Sequence, residues 1–419
     1  MSDPTRILYI HHAFGISGAT LSLLFLIQRL DRTRYTPTVL CLYDGPAAQC
    51  YREAGVPTIT GRHIDHFDHS LLAWYSLRRV DVLARKLATF YPSVVNTERV
   101  VREIGVDIVH LNASVLPASA IGAKRAGVPV VWHIREPIHP GYIGLRQMIL
   151  RKIIDSCADR AIAICQDNAR QLIPSERTQV IYNFVDFDKF DRRIVTTTPL
   201  IGADSTEPAH IVLMLGGVAI PKGTEPFVQA LPLVLSKLPN THFVIAGPVP
   251  EALPGWQGRV SRLQSYHRRI QRFIEDHHLE QHVHFLGVRR DIPQLLAACD
   301  LLAFPSVMPH FARPIIEAGA MAKPVVASNL GGPDELVVDG ETGILVPHSD
   351  PTTLAKALIE ILSQPTLGRA MGESGYARAR SLYDAQQNAE QTFAVYDELL
   401  GARPASLTAT HLKGIADGN

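Results

Sequence analysis

One segment of the sequence places a carboxylate between two turns that are rich in glycine and proline. Residues 305–336 read PSVMPHFARPIIEAGAMAKPVVASNLGGPDEL, and Glu317 is the carboxylate on the helix-like stretch before the strand-like run PVVAS. Proline suits a first helical turn, so Pro314 and Pro333 predict two helices that begin on either side of one strand. Helix N-termini can bind phosphate groups, because they present free N–H groups and a partial positive charge. The alternative is an ordinary turn of an α/β domain.

A lysine follows the first strand-like run in the second half of the chain. The text LMLGGVAIPKGTEPF, residues 213–227, ends that run at Gly216 and places Lys222 a few residues later. Such a lysine could neutralise a diphosphate as a mobile point charge at the same sheet edge as the helix that begins at Pro314. The alternative is a solvated loop lysine, which is the commoner situation.

A histidine ends a strand-like run in the first half. In VVWHIREP, His133 follows apolar residues and precedes Arg135 and Glu136. An imidazole at the end of a strand could bind a sugar hydroxyl or a developing charge, which makes His133 a candidate catalytic residue. A histidine whose nitrogens are satisfied by local backbone is the alternative.

A glycine-containing loop follows the first strand and opens a helix, in the text HHAFGISGATLSLL. Its glycines, Gly15 and Gly18, do not have the G-x-G-x-x-G spacing, and Asp44 is the nearest acidic residue to a ribose-binding position. We therefore expect no nicotinamide cofactor. The loop is either a ligand-binding turn at Gly18 or a tight turn required for helix packing.

A histidine- and aspartate-rich stretch, GRHIDHFDHS, raises the possibility of a metal site. Its candidate ligands are His63, Asp65, His66, Asp68 and His69. Their spacing matches no standard zinc pattern, so we expect no metal and interpret the stretch as a solvated or acceptor-facing surface. The sequence also has no G-x-S-x-G nucleophile and no Walker loop.

The composition is that of a soluble globular protein. The 41 basic and 40 acidic side chains among 419 residues leave a formal charge of +1, so nothing indicates a nucleic-acid partner. Five scattered cysteines without a C-x-x-C pair are expected to be reduced. No long uncharged apolar stretch and no leader pattern occurs, from which we predict a cytoplasmic protein.

The elements that position these residues follow from the apolar runs. Short runs rich in valine and isoleucine alternate with helical text in both halves, which predicts two doubly wound parallel sheets. The predicted strands are RILYIHH, TPTVLCLYD, VPTIT, DIVHLN, VPVVWHI, RAIAIC, QVIYNFV, HIVLMLGG, HFVIAG, VHFLG, DLLAFP, PVVAS and GILVP. We expect ligands at the carboxyl ends of both sets of strands, in a cleft between the domains.

The predicted domain boundaries follow from the same pattern. Residues 1–195 form the first Rossmann-like domain, and residues 196–210, which lack periodicity, form the linker. Residues 211–380 form the second Rossmann-like domain. Residues 381–419 are expected to form a C-terminal helix that returns to the first domain, followed by a tail.

The second half resembles the retaining glycosyltransferases of family 4, which have the two-domain GT-B fold. The resemblance is carried by LGGVAIPKG, FVIAG, VHFLGVRRDIPQLLAACDLLAFPS, RPIIEAGAMAKPVVASNLGGPDELV and DGETGILVPHSDP, in that order. It implies transfer of a sugar from a nucleoside diphosphate sugar to a hydroxyl acceptor, with no separate cofactor or metal. It also implies that His133 is the cleft histidine and that Glu317 contacts the ribose. The donor-binding residues expected are Gly18, Gly216, Lys222, Gly287, Val288, His310, Phe311, Ala312, Arg313 and Glu317.

Two positions depart from the family pattern. The first glutamate of the E-x(7)-E pattern is replaced by Pro309, and the usual arginine beside the glycine of the first donor-domain strand is replaced by Gly217. The alternatives to an active transferase are therefore a weakened or inactive sugar-nucleotide-binding protein and a GT-B epimerase. His310 and Arg313, in the same loop as Pro309, could supply compensating contacts.

Two basic, apolar stretches predict a possible contact with a membrane surface. LLAWYSLRRVDVLARKL and GYIGLRQMILRKIID both combine arginine and lysine with helically spaced apolar residues. Ordinary domain helices, which need such faces for their own core, are the alternative. If the acceptor is lipid-linked, contact would be at the inner face of the membrane.

Overall fold

A computed structural model describes residues 3–67, 80–141, 144–197, 200, 209–250 and 262–401. The chain divides into two compact units. Unit 1 contains Met1–Tyr182 and Gln386–Asn419, and unit 2 contains Asn183–Ala385.

Each unit is built on one parallel sheet. The strands of unit 1 are β1 (Thr5–His11), β2 (Tyr35–Cys41), β3 (Thr58–Ile59), β4 (Ile108–Leu111), β5 (Val130–Ile134), β6 (Arg160–Ala163) and β7 (Thr178–Val180). The strands of unit 2 are β8 (His210–Leu215), β9 (Thr241–Ala246), β10 (Val283–Gly287), β11 (Leu301–Phe304), β12 (Val325–Ser328) and β13 (Gly343–Val346). Each of these strands lies within a predicted run to within one residue at its start.

The strand order is that of a doubly wound fold in both sheets. In unit 1 the order is β3-β2-β1-β4-β5-β6-β7, and in unit 2 it is β10-β9-β8-β11-β12-β13. The order reverses beside β1 in the first sheet and beside β8 in the second, and ligands of such sheets bind at the carboxyl ends of the strands around this switch point. The predicted fold class, two Rossmann-like α/β domains, is confirmed.

The helices cover the sheets. They are α1 (Gly18–Gln28), α2 (Pro46–Glu53), α3 (Val80–Ile104), α4 (Pro117–Arg125), α5 (Leu145–Cys157), α6 (Gln166–Arg170), α7 (Thr224–Leu235), α8 (Arg262–Asp276), α9 (Ile292–Ala298), α10 (Arg313–Ala320), α11 (Pro333–Leu336), α12 (Pro351–Ser363), α13 (Pro365–Leu382) and α14 (Ala385–Gly401). A short 3-10 helix, Ile220–Lys222, precedes α7. No helix in the described part of the chain has both the length and the apolar composition that a membrane span requires.

The central strand β1 shows how the first sheet is buried on both faces. Ile7 and Tyr9 pack into one hydrophobic cluster, whereas Leu8 and Ile10 pack into another. Successive side chains of a strand point to opposite faces, so a strand covered on both sides needs a continuous apolar run. The cysteines of the chain form no disulfide, and all but the half-buried Cys50 are buried.

The division between the units differs from the sequence-based boundary at residue 195. Residues 183–195 belong to unit 2, where they contact α13 and the residue that follows it. The Val185 N–H donates to the Tyr383 carbonyl at 2.8 Å, and Arg192 forms an ion pair with Glu373 at 2.5 Å. These contacts join residues far apart in sequence, so the local pattern does not reveal them. Most of the predicted linker, residues 196–210, lies outside the described residues.

The last described helix, α14, belongs almost entirely to unit 1. The Tyr35 hydroxyl of β2 donates to Asp397, and Arg34 forms an ion pair with the same carboxylate at 2.8 Å. Residues 402–419, the end of the region predicted as a helix followed by a tail, lie outside the described residues.

Candidate functional site

The two turns on either side of β12 are built as the sequence predicts. Helix α10 has Pro314 in its first turn, and α11 begins at Pro333 after the N-cap residue Gly332. Gly332 has a φ of +102°, and a Cβ there would lie 2.2 Å from the His310 carbonyl oxygen. The backbone before α11 therefore touches the loop before α10, and only glycine allows this approach.

Lys222 and His310 form a half-buried pair in unit 2. The Lys222 ammonium lies 2.8 Å from His310 Nε2 and 5.5 Å from the centre of the Phe304 ring. His310 Nδ1 lies 2.9 Å from the Met308 carbonyl oxygen, to which it can only donate a proton. His310 therefore carries its proton on Nδ1, and its Nε2 accepts a hydrogen bond from Lys222.

Burial controls the charge of this pair. It lowers the pKa of Lys222 to about 8. Burial and the neighbouring Lys222 ammonium lower the pKa of His310 to about 4. At neutral pH the lysine is charged and the histidine is neutral. Only one hydrogen bond from the ammonium to a described residue occurs, so two of its three donors are available to an anion.

Glycines bring the backbone of three loops together beneath Lys222. A Cβ at Gly216 would lie 3.1 Å from the Lys222 side chain, so the lysine stem passes directly over Gly216. Gly217, with a φ of +70°, has the Pro248 carbonyl oxygen 2.2 Å from its would-be Cβ. The position at which the family has arginine therefore cannot hold a side chain in this backbone. Gly247 N donates to the Gly287 carbonyl at 2.7 Å, which links this cluster to the end of β10.

The remaining predicted residues of unit 2 lie on the loop before α10 and on α10 itself. Ala312 is the N-cap residue of α10 and is buried. Arg313 Nε lies 3.3 Å from Glu317 Oε1, so the two form an ion pair one turn apart within the helix. Phe311 lies between His310 and Ala312 in the same loop, and Val288, which follows Gly287, is 73% exposed.

His133 lies in unit 1, inside a buried polar network. It is the fourth residue of β5, is only 5% exposed, and has Nδ1 3.3 Å from His110 Nε2 and 3.4 Å from the Arg135 guanidinium. His110 Nδ1 in turn lies 2.7 Å from the Tyr396 hydroxyl of α14. Burial first, and then the Arg135 charge, holds the pKa of both His110 and His133 well below the usual value.

The contact with Arg135, the longer of the two at Nδ1, favours one tautomer of His133. Arginine can only donate hydrogen bonds, so the contact from Arg135 makes His133 Nδ1 an acceptor. A neutral His133 with Nδ1 as acceptor carries its proton on Nε2. His133 can therefore act as a hydrogen-bond donor through Nε2 rather than as a base.

Gly18 lies beside the same network. It is the first residue of α1, after the N-cap residue Ser17, which forms a capping box with Thr20. The buried His11 connects Thr20 to Asn112, with ring nitrogens 3.1 Å from each side chain. Asn112 Oδ1 accepts from Arg135 Nε at 2.5 Å, which completes the path to His133.

The structure thus places the predicted residues in two groups. Unit 2 brings the glycine cluster, Lys222 and His310 together, and it pairs Arg313 with Glu317. Unit 1 holds His133 and Gly18 beside one network. The sequence analysis missed His11, His110, Asn112 and Tyr396 as members of this network. A polar residue inside an otherwise apolar strand, such as the histidine of IVHL, is the signal that could have identified His110.

The metal hypothesis concerns residues that are only partly described. Among the described residues, no three His, Cys, Asp or Glu side chains are arranged to hold a metal ion. Asp68 and His69 lie outside the described residues. Asp65 instead forms an ion pair with Lys86 at 2.5 Å, and His66 Nδ1 lies 3.0 Å from the Tyr43 hydroxyl.

Two family models match the chain, one in each half. Residues 16–189 match the model described as Glycosyltransferase Family 4, and residues 203–378 match the model described as Glycosyl transferases group 1. The division between the two matches lies close to the division between the two units.

Curated relatives match parts of the chain. The N-acetyl-alpha-D-glucosaminyl L-malate synthase of Bacillus anthracis is 26% identical over 54% of this chain and 54% of its own. The lipopolysaccharide core biosynthesis mannosyltransferase LpcC of Rhizobium leguminosarum bv. viciae is 29% identical over 48% of this chain and 54% of its own. The matched part of the chain thus spans about half the length of these relatives.

Solved structures match nearly the whole chain. HepE of Anabaena, in complex with UDP, has a TM-score of 0.73 and 23% identity, over 94% of this chain and 100% of that one. A glycosyltransferase of Rickettsia africae has a TM-score of 0.75 and 18% identity, over 96% of this chain and 100% of that one. At these identities the likeness establishes the fold.

Proposed function

The chain belongs to the family 4 glycosyltransferases with the GT-B fold, and we propose that it transfers a sugar from a nucleoside diphosphate sugar to a hydroxyl acceptor. We further propose that the transfer retains the anomeric configuration. The half-buried Lys222 ammonium carries the proposal: it is held by a neutral histidine and has two donors left for an anion. Burying such a charge is costly unless it serves to bind a charged group.

The proposed donor site is formed by residues of unit 2. Lys222 binds the diphosphate, together with backbone N–H groups of Phe311, Ala312 and Arg313 at the start of α10. Glu317 binds a ribose hydroxyl, while its ion pair with Arg313 orients the carboxylate. The base lies near Gly287 and the exposed Val288. HepE was solved with UDP, which makes UDP-sugars the first donors to test.

His133 is proposed to support the transfer itself. Its Nε2–H would donate to a hydroxyl of the transferred sugar or of the acceptor, held in position by the contacts of Nδ1 with His110 and Arg135. We propose no protein nucleophile. The departing phosphate would accept the acceptor's proton on the face that it leaves, and the charge on Lys222 would stabilise this phosphate.

Incubation of the purified chain with a panel of nucleoside diphosphate sugars tests the function. Donor-dependent release of nucleoside diphosphate that increases with an added hydroxyl acceptor is the expected result. NMR of the product then reports the anomeric configuration, and an inverted product would contradict retention. His133→Ala is expected to reduce turnover strongly while the affinity for nucleoside diphosphate changes little.

A sugar-nucleotide-binding protein without transferase activity is the second candidate. Gly217 favours it, because the arginine that the family has at this position cannot be accommodated beside Pro248. Binding of the donor without any release of nucleoside diphosphate, across a panel of acceptors, would establish this alternative.

The location and a membrane contact are also proposals. Leu145, Met148 and Ile149 form an exposed apolar face on α5, with Lys152 exposed one turn further on. This face favours a cytoplasmic protein that contacts the inner surface of a membrane, where polysaccharide acceptors carried on lipids would be reached. Cosedimentation with anionic liposomes at low salt tests it, and loss of Lys152 and Ile149 should abolish the binding. The other predicted stretch lies largely outside the described residues.

A further inference from the structure

A cavity of about 510 Å³ lies in unit 1 and is lined by residues other than those of the histidine network. Leu42 and Tyr43, which follow β2, form part of its wall. Residues after β3 and three residues of helix α3 form the rest, namely Gly61, His63, Ile64, Asp65, Arg85, Lys86 and Thr89. The cavity thus lies at the carboxyl ends of two strands, where doubly wound sheets bind ligands. Its volume is in the range of small-molecule sites.

One pair of charges in the wall is internally compensated. The buried Lys86 ammonium donates to Asp65 Oδ1 at 2.5 Å and to the His66 carbonyl at 2.8 Å. The other Asp65 oxygen accepts from the Thr89 hydroxyl at 3.0 Å. Lys86 and Asp65 together therefore leave no net charge facing the cavity, and they fix one another in place.

Arg85 differs from the other arginines around this end of the sheet. Arg52 is paired with Asp44 at 2.7 Å, and Arg62 is paired with Glu103 at 3.1 Å. Arg85 lines the cavity, is exposed, and forms no side-chain hydrogen bond or ion pair with any described residue. The part of the wall formed by described residues therefore carries one positive charge in excess.

The wall also contains a backbone outlier. His63 adopts a φ of +51°, and its carbonyl oxygen is held by Asn96 Nδ2 at 3.1 Å. A residue with a Cβ in this conformation costs roughly 1–2 kcal/mol, and such residues are concentrated at ligand sites.

We infer that this cavity binds the acceptor, and that the acceptor carries a phosphate or carboxylate beside its hydroxyl groups, with Arg85 pairing with the anion. The inference rests on the proposed function, which requires an acceptor. Arginine suits this role because its planar guanidinium binds phosphate and carboxylate oxygens through two parallel hydrogen bonds. The polar atoms of Tyr43 and Thr89 in the same wall suit the hydroxyl groups.

Methyl NMR of the full chain tests this inference with three related probes. The probes are sn-glycerol 3-phosphate, D-glycerate and neutral glycerol, and the reporters are the methyl groups of Leu42 and Ile64 in the cavity wall. We expect one or both anions to shift these methyl signals and glycerol not to do so. Which anion binds more tightly distinguishes a phosphate-bearing from a carboxylate-bearing acceptor.

Two arginine variants on the same helix give the matched comparison. Arg85→Gln should weaken binding of the anion by about tenfold or more, because hydrogen bonds to charged groups are lost. Arg99→Gln should leave it within about twofold, since Arg99 is an exposed arginine of α3 that does not line the cavity. Arg85→Lys should restore part of the affinity, and unfolding temperatures check that each variant is folded.

The outcomes separate this inference from the proposed function. Equal anion binding by Arg85→Gln and the native chain, or no shift of the cavity methyl groups with any probe, would overturn the inference. UDP binding measured on the same samples reports on unit 2. If UDP binds and no probe shifts the cavity methyl signals, only the acceptor assignment is wrong. If an anion shifts these signals and UDP does not bind, the donor assignment is wrong instead.

Discussion

Lys222 carries a charge that is costly to bury. Its ammonium is held by the neutral His310 and lies over the Phe304 ring, and no carboxylate of the described residues is paired with it. Burial lowers its pKa from 10.5 to about 8. A charged lysine surrounded by a neutral histidine and an aromatic ring is typical of a site that binds an anion.

Replacing Lys222 should weaken nucleotide binding and raise the unfolding temperature. Lys222→Met is expected to weaken UDP binding by roughly 10- to 100-fold, because a charged hydrogen-bond donor is lost. The same variant should unfold at a higher temperature than the native chain at pH 7, because the buried charge is removed while the stem over Gly216 is kept. Isothermal titration and thermal unfolding measure the two effects.

The stability difference between Lys222→Met and the native chain should depend on pH, because the pKa of Lys222 is lowered in the folded chain. Below pH 8 Lys222 is charged in both the folded and the unfolded chain, so the full cost of burial is present. Between about pH 8 and 10.5 only the folded chain loses the proton, so the native free energy of unfolding rises towards that of the variant.

Lys323→Met is the control: Lys323 donates to two backbone carbonyls, and its loss should lower stability. A Lys222→Met chain that binds UDP normally would remove Lys222 from the site.

The proposed contact of Glu317 with ribose can be tested with a nucleotide that lacks the ribose hydroxyl groups. Glu317→Gln should weaken UDP binding by about tenfold, because a hydrogen bond to a charged acceptor is lost. The variant and the native chain should bind 2′,3′-dideoxy-UDP equally, since the ribose hydroxyls that Glu317 would contact are absent. Titration of both nucleotides measures the difference.

A paired glutamate elsewhere in unit 2 provides the control. Glu225 forms an ion pair with Arg269 at 2.9 Å, and Glu225→Gln should leave both affinities unchanged. If Glu317→Gln loses the same factor with both nucleotides, or loses only stability, its role is to pair with Arg313 and not to bind ribose.

At the scale of the elements, the donor half depends on close approaches between loops. The end of β8 meets the end of β9 at Gly217 and Gly247, where a Cβ at Gly247 would lie 2.3 Å from the Gly217 nitrogen. The 3-10 helix that presents Lys222 ends at Gly223, whose would-be Cβ meets the Pro305 carbonyl after β11. These contacts set the position of Lys222 relative to the loop before α10.

Substitution of Gly217 tests this close packing. Gly340→Ala should cost roughly 1–2 kcal/mol, because its φ of +75° is unfavourable although no atom lies within 4 Å of the new Cβ. Gly217→Ala should cost at least about 1 kcal/mol more, because its new Cβ also overlaps the Pro248 carbonyl. Denaturant unfolding measures both. Equal losses would show that the backbone at Gly217 can shift to accommodate a Cβ. Steric exclusion would then not explain why arginine is absent at this position.

At the scale of the whole molecule, the chain returns to its first unit through α14. Tyr396 of this helix reaches His110, a residue 286 positions earlier in the chain, and so closes the polar network that ends at His133. Unit 1 therefore buries three histidines of this network, His11, His110 and His133, in neutral form.

These histidines should make unit 1 sensitive to acid. Burial lowers the pKa of His11 to about 3 and lowers those of His110 and His133, so only the unfolded chain is protonated as the pH falls below 6.5. The free energy of unfolding should therefore fall, by up to about 1.4 kcal/mol per pH unit for each histidine. Hydrogen exchange of β1 and β4 between pH 7 and pH 5 measures it. His11→Gln should reduce the slope by about one proton, and an unchanged slope would contradict the assignment.

The sequence by itself determined the elements and the class of the fold. The described strands lie in the predicted apolar runs to within one residue at their starts, because a strand buried on both faces requires a short continuous run and the punctuation by glycine and proline is local. The same local text also identified Lys222, His310, Glu317 and His133 as candidates. Their chemical type and their place after a strand or at a helix start are visible without knowledge of contacts.

Only the tertiary structure decided what each candidate touches. Lys222 and His310 are 88 residues apart, and their contact with one another, their burial and their lowered pKa values arise together from packing. His133 is held by contacts with Arg135 and His110, and His110 in turn contacts Tyr396 of a helix from the far end of the chain. Periodicity reports which face of an element is buried, but charge states and hydrogen-bond partners depend on residues that the chain brings together only when it folds.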